Sequence, residues 1–274
     1  MTANSSRALV TNALNADANR ATWRLTETTS LGASSEVELV WQGVCLCRFQ
    51  WGRFDAFGTA AYWADQASRE APYVRYAGPL VEQVAFCVLG GYGVTYEMNL
   101  AAFRALQHSG LLHQQPVPSA EAFDRLLTQP LQLANADKLV RYRFPHQRAV
   151  RLAACVRALA VASPPEDPVD LRDMLHGLPG IGPKTASWIV RNYLGTDRVA
   201  IIDIHLRRAG IAAGFFRQSW MLPRDYALFE AAFLGYADCA GVAASALDFE
   251  IWKQMRQLSR VTANMRPRIL ARSS

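Results

Sequence analysis

The 274-residue sequence predicts a mostly α-helical, two-lobed fold with a small antiparallel β element near its start. Three observations predict it. From Trp51 onward, apolar residues recur at three- and four-residue spacing in one short segment after another, as in helices with one buried stripe. Before Trp51, the runs TWRLTET, EVELVW and VCLCRF alternate with period two. The stretch SPPEDP at residues 163–168 is the clearest interruption of the helical array and predicts a boundary between lobes.

Residues 1 to about 20 are polar and read as frayed or loosely helical. EVELVW and VCLCRF flank Gln42-Gly43, which predicts a hairpin, with TWRLTET as a further strand. The helical segments then follow in order: FGTAAYWADQAS, PLVEQVAFCVLGG, TYEMNLAAFRALQHSG, SAEAFDRLLT, NADKLVRY, PHQRAVRLAACVRALAV, DPVDLRDMLHG, PKTASWIVRN, IHLRRAGIAAG, RDYALFEAAFLGYAD and ALDFEIWKQMRQLS. The expected organisation is an N-terminal segment with the sheet (1–66), a helical lobe (67–165), and a lobe of hairpin and C-terminal helices (166–274), the two lobes packed as one unit.

An apolar content of 51% is enough for a sizeable core. No uninterrupted apolar run approaches a membrane span and the opening segment lacks a signal-type h-region, so the expected address is the cytoplasm, with no membrane partner. A formal charge of +6 permits a polyanionic partner without requiring one. The cationic side chains are nearly all arginine, since Lys138, Lys184 and Lys253 are the only lysines. Arginine binds phosphate at least as well as lysine, but only lysine sheds its proton to become a nucleophile. Cys45, Cys47, Cys87, Cys155 and Cys239 include no CxxC pair; they read as reduced buried thiols, not as zinc or iron–sulfur ligands.

One of the three lysines sits in LPGIGPKTASWIVRN, residues 178–192. Gly180 and Gly182 are expected to allow positive φ or close backbone approach, and Pro183 suits the first position of a helix. The amides of the following turn, including Thr185, then form an anion site at a helix N-terminus. With PVDLRDMLHG before it, the unit is expected to be helix, Gly-x-Gly hairpin, helix, an arrangement suited to gripping a DNA phosphate through backbone amides without reading sequence; the plainer reading is a tight connection that binds no ligand, against which the pattern L-P-G-I-G-x-K-T-A with a helix on each side is the more specific signal. Asp203 in RVAIIDIHLRR ends an apolar strand-like run and opens a helix, nineteen residues after Lys184, about the length of one helix and a short return.

LPGIGPKTASWIVRN followed by VAIIDIHLRR resembles the helix–hairpin–helix (HhH-GPD) DNA glycosylase superfamily, and the lysine in the hairpin is similar to its 8-oxoguanine DNA glycosylase/AP lyase branch. The likeness is strongest over about residues 138–210 and extends more weakly over 70–135 and 225–257. It implies that Lys184, as a neutral amine, attacks C1′ of an extruded nucleotide, expels the base and leaves a Schiff base from which β-elimination cuts the strand. It implies that Asp203 stabilises the oxocarbenium-like charge at C1′ and helps relay the lysine proton. Each residue also has a plainer reading: Lys184 as a phosphate contact, Asp203 as a helix N-cap.

His205 is similar to a family histidine that touches DNA phosphate, with packing or a surface role as the alternative. Asp248 and Trp252 in ALDFEIWKQ are four residues apart and share a helix face, where a carboxylate and an indole can bond and stack on a purine. Their alternative is an acid in a first helical turn beside a core tryptophan. GGYGVTYEMN, residues 90–99, occupies the place of the family's base-replacing loop; Tyr92 is the candidate wedge, in a loop without the usual Gln/Asn-rich composition. Arg143, His146, Gln147 and Arg148 of YRFPHQRA either line DNA or solvate a helix start.

The resemblance implies duplex DNA carrying a damaged or modified base as partner, a monomeric protein associated with the nucleoid, and no redox cofactor or iron–sulfur cluster. A monovalent cation at the hairpin is compatible with it. Alternatives are a glycosylase for another modified purine and a non-catalytic DNA-binding protein that uses the hairpin for grip alone.

Overall fold

The computed structural model describes residues 18–26, 30–69, 78–91, 93–133 and 139–270, with backbone only for 260–270. Three strands form one antiparallel sheet in the order β1 (Thr22–Leu25), β2 (Glu36–Trp41), β3 (Val44–Gln50). At the β2–β3 turn Gln42 and Gly43 have φ of 50° and 78°, the paired positive values that suit the right-handed twist of a two-residue hairpin. The expected helical assignment of NADKLVRY is corrected where it is described: Leu131–Gln132 (β4) and Leu139–Val140 (β5) pair as a two-residue ladder. The expected loose helix over residues 1–20 lies almost wholly outside the described residues.

Ten α-helices occur among the described residues: α1 (Ala60–Ser68), α2 (Leu80–Leu89), α3 (Tyr96–Ser109), α4 (Ala120–Leu127), α5 (Pro145–Val161), α6 (Pro168–His176), α7 (Pro183–Leu194), α8 (Ile204–Ala213), α9 (Tyr226–Ala240) and α10 (Ala244–Leu270). The chain divides into two compact units, Met1–Val74 with Asp197–Ser274, and Arg75–Thr196. This corrects the boundaries read from the sequence. SPPEDP is a loop between two helices of the same unit, because α6 packs on α7, and α7 packs in turn on α2.

In the discontinuous unit, Val37 and Leu39 point from β2 into a core covered by α9. That helix is apolar almost all round and is correspondingly enclosed, with Phe229, Phe233 and Tyr236 fully buried. On the other face of β2, Glu38 is covered by ion pairs from Arg24 of β1 and Arg48 of β3. The hydrogen bond from Arg24 is the main reason its carboxyl is held at about 2. In the continuous unit, α2 is the central apolar helix and contacts α3, α5 and α7.

Candidate active site

The hairpin is built on α6 and α7. Asp167 caps α6, its carboxylate accepting from the amides of Val169 and Asp170 at 2.8 and 3.2 Å. After Gly177 the chain turns, with the Ile181 amide donating to the Leu178 carbonyl at 3.1 Å, and the Ile181 side chain anchors the turn in the core. Gly180 has φ +80°, which favours glycine, and a Cβ there would stand 2.5 Å from Cδ of Arg151, whose side chain would have to move aside.

Gly182 differs from the sequence expectation: its φ is −84° and nothing lies within 4 Å of where a Cβ would stand. It is the N-cap of α7, with Pro183 in the first turn and no side chain capping it. The first-turn amides, those of Lys184 and the half-buried Thr185 among them, therefore end the helix without intrahelical acceptors, and Gly182 leaves the approach to them open.

Lys184 is half-buried on this first turn, where α7 packs against α2. Burial pushes the Cys87 thiol of α2 well up, and the Lys184 ammonium nearby acts in the opposite sense. One turn further along each helix, Gly90 meets Trp188; a Cβ on Gly90 would lie 3.5 Å from the indole. The end of α2 and the glycine-rich loop after it are thus brought beside the lysine-bearing helix.

That loop is held by side chains from YRFPHQRA. The Tyr142 hydroxyl donates to the Leu89 carbonyl at 2.5 Å, Arg148 donates to Gly90 at 3.0 Å, and Arg143 donates to Gly93 at 3.1 Å. Burial lowers the Arg148 pKa below the usual arginine range. His146 pairs with Asp124 at 2.7 Å, and Gln147 is exposed. Neither sequence reading of the two arginines anticipated this work, which depends on a loop some fifty residues away in the chain. Tyr92, the candidate wedge, lies outside the described residues.

Asp203, His205, Asp248 and Trp252 belong to the discontinuous unit. Asp203 is the N-cap of α8, its Oδ1 accepting from the amides of His205 and Leu206 at 2.8 and 2.9 Å. The residues before it belong to neither helix nor strand, and no strand among the described residues pairs with them. Side chains of α9 do so instead: Glu230 accepts from the Ala200 amide at 2.8 Å, while the Tyr226 hydroxyl donates to the Ala200 carbonyl at 2.6 Å and accepts from the Ile202 amide at 3.1 Å.

His205 is half-buried, and its Nδ1 is enclosed with no hydrogen-bond partner among the described residues. Asp248 and Trp252 lie one turn apart on α10, Asp248 buried and Trp252 half-buried. The indole ring lies 6.2 Å from that of Phe249, and the Arg256 guanidinium sits 4.9 Å from its centroid. Two grooves of about 490 and 800 Å³ also occur in this unit, and none of these site residues lines them.

Residues 80–242 match the family model described as 8-oxoguanine DNA glycosylase. No curated protein matches the chain. Among solved structures, it is similar to the 8-oxoguanine DNA glycosylase of Thermotoga maritima, at 24% identity over 63% of this chain and 77% of that one, with a TM-score of 0.48. It is also similar to the 8-oxoguanine DNA glycosylase of Methanocaldococcus jannaschii, at 24% identity over 63% and 76% of the two chains, with a TM-score of 0.47. A structure of the M. jannaschii 8-oxoguanine glycosylase/lyase in complex with 15-mer DNA containing 8-oxoguanine matches at 23% identity over 63% and 78% of the two chains, with a TM-score of 0.48.

Proposed function

The chain belongs to the 8-oxoguanine DNA glycosylase family, and from that premise we propose that it excises 8-oxoguanine from duplex DNA and then cleaves the strand as an AP lyase. The observation that carries the second half is Lys184: one of only three lysines, standing in the first turn of α7 behind an open N-cap glycine.

The glycosidic bond is inaccessible inside the stack, so the damaged nucleotide is flipped out of the duplex before reaction. The hairpin amides grip the backbone beside it, supplying orientation without sequence preference. The free amine of Lys184 forms a bond to C1′ as the C1′–N9 bond breaks, and the base leaves with a proton. Opening of the sugar gives the protonated Schiff base. Loss of a C2′ proton then expels the 3′ phosphate, and water hydrolyses the imine to return the lysine.

Asp203 carries its negative charge where C1′ becomes positive, and it takes the amine proton in the relay. Its cap bonds occupy Oδ1, which orients the carboxylate and leaves Oδ2 for that work. His205 is assigned to a phosphate, Asp248 and Trp252 to the flipped purine, and Tyr92 to the gap it leaves. A monovalent cation would be held by hairpin carbonyls against a phosphate and would strengthen grip; no chemical step uses it. Among the hairpin carbonyls, those of Leu178 and Gly182 already accept backbone amides, at 3.1 and 2.9 Å, so such an ion would share them or use their neighbours. The protein acts as a monomer, in the cytoplasm where it meets nucleoid DNA.

The test is borohydride trapping on duplex DNA containing 8-oxoguanine, with wild type compared with Lys184→Gln. A covalent adduct with wild type alone is expected. An adduct that persists in Lys184→Gln refutes Lys184 as nucleophile. Base release without any adduct refutes the lyase step, and DNA binding without release moves the substrate to another modified purine or the protein to a non-catalytic role.

A further inference from the structure

The backbone leading into Asp203 has a clamp made of side chains. Val199, Ala200 and Ile202 are buried, and a buried segment with no partner strand among the described residues leaves its amides and carbonyls to be satisfied elsewhere. Tyr226 and Glu230 lie four residues apart on one face of α9 and meet this need. The Tyr226 hydroxyl bridges the carbonyl of Ala200 and the amide of Ile202, which is the pair of bonds that one residue of a parallel neighbouring strand would make. Glu230 closes the Ala200 amide with one carboxylate oxygen, and its other oxygen accepts from Asn19 at 3.0 Å. Asn19 also donates to the Arg198 carbonyl at 3.2 Å, so the clamp extends to the start of the same segment.

We propose that Tyr226 and Glu230 are positioning residues for Asp203. They replace a strand with two side chains, so that a short segment is registered against α9 and delivers its last carboxylate at a fixed point, one residue after Ile202. A hydroxyl bound to backbone on both sides cannot drift without breaking a buried hydrogen bond, which a helix N-cap alone would not guarantee. Glu230 and Tyr226 are both buried, and in this role they act through Asp203. The inference rests on the catalytic reading of Asp203, and its test has one arm that does not.

Tyr226→Phe keeps the buried ring and deletes both bonds of the bridge. Glu230→Gln keeps an oxygen acceptor for Ala200, whereas Glu230→Leu removes it. Single-turnover excision on duplex DNA containing 8-oxoguanine is compared with the Kd for that duplex, well below the melting temperature of each variant. Tyr226→Phe and Glu230→Leu are expected to slow excision by about 10- to 100-fold with Kd within about 2-fold of wild type, since misplacement by an ångström carries a penalty of that size. Glu230→Gln restores most of the rate.

In parallel, amide hydrogen exchange is read at His205 and Leu206, whose amides bond the Asp203 carboxylate, against core amides of α9. Faster exchange at these two amides in Tyr226→Phe, with α9 unchanged, supports the clamp whatever the substrate. Unchanged exchange there, or wild-type excision by a folded Tyr226→Phe, overturns it. Absence of excision by wild type counts against the proposed function and leaves the exchange result to decide the clamp.

Discussion

Gly182→Ala separates folding from function at the hairpin. The residue has φ −84° and ψ 172°, a conformation open to any amino acid, and a methyl group would meet nothing within 4 Å. Alanine is a poorer N-cap than glycine by up to about 1 kcal/mol. The stiffer unfolded chain offsets roughly 0.4–1 kcal/mol of this. Stability therefore stays nearly level, with Tm within about 3 °C of wild type.

The methyl nevertheless stands where a phosphate would reach the first-turn amides of α7. Keeping the phosphate away from those amides removes about 1–2 kcal/mol, roughly 5- to 30-fold in Kd. The slope of log affinity against log salt should flatten by about 0.9 for each phosphate the protein no longer neutralises. Anisotropy titrations of a labelled duplex across a salt series measure both quantities. Gly180→Ala is the converse control: φ +80° and a Cβ 2.5 Å from Arg151 predict a stability loss of about 1–3 kcal/mol, arising in the fold itself. A folded Gly182→Ala with wild-type Kd and salt slope would refute the phosphate grip.

Two further outcomes follow from buried groups elsewhere. Glu38 has its carboxyl lowered from 4.5 to about 2, so its contribution to stability is complete above its unfolded pKa and disappears as pH falls toward 2; Glu38→Gln should destabilise by about 1–3 kcal/mol at neutral pH and show a flatter loss below pH 5, checked by urea unfolding along a pH series. Burial pushes Cys47 and Cys239 up to about 12, Cys155 up to about 11, and Cys87 well up; burial and then Glu38 raise Cys45 as well, but Cys45 alone of the five is partly exposed, so in the native protein a thiol-specific disulfide reagent should reach Cys45 first, and fast release of more than one equivalent would contradict that.

The hairpin was legible in the sequence because its constraints are local: a positive φ at Gly180, a proline at a helix start and a lysine among arginines are each visible in a few letters. The β2–β3 hairpin was legible for the same reason. Partners distant in the chain were not. Arg143 and Arg148 read as polar residues at a helix start, and nothing beside them indicates that they fasten carbonyls of a glycine-rich loop. Tyr226 and Glu230 sit in a helix whose apolar surround reads simply as core, so their hold on the segment before Asp203 emerges only when α9 is laid against it. SPPEDP misled for a related reason: prolines mark where a helix stops, whereas unit membership depends on which helical faces meet, and α6 meets α7.

The discontinuous unit also sets an order for folding during synthesis. The Tyr236 hydroxyl donates to the carbonyl of Ala60 across 176 residues of chain, and the sheet finds its cover in α9 from the same late region. At ribosomal speed that separation is a wait of roughly 10–35 s. By contrast α3, α5 and α7, which pack on α2, lie within Arg75–Thr196 and can close among themselves as soon as α7 emerges. Throughout that interval the apolar face of β1–β3, with Val37 and Leu39 at its centre, waits without its α9 cover, so its exposure depends on chaperones and on the speed of elongation.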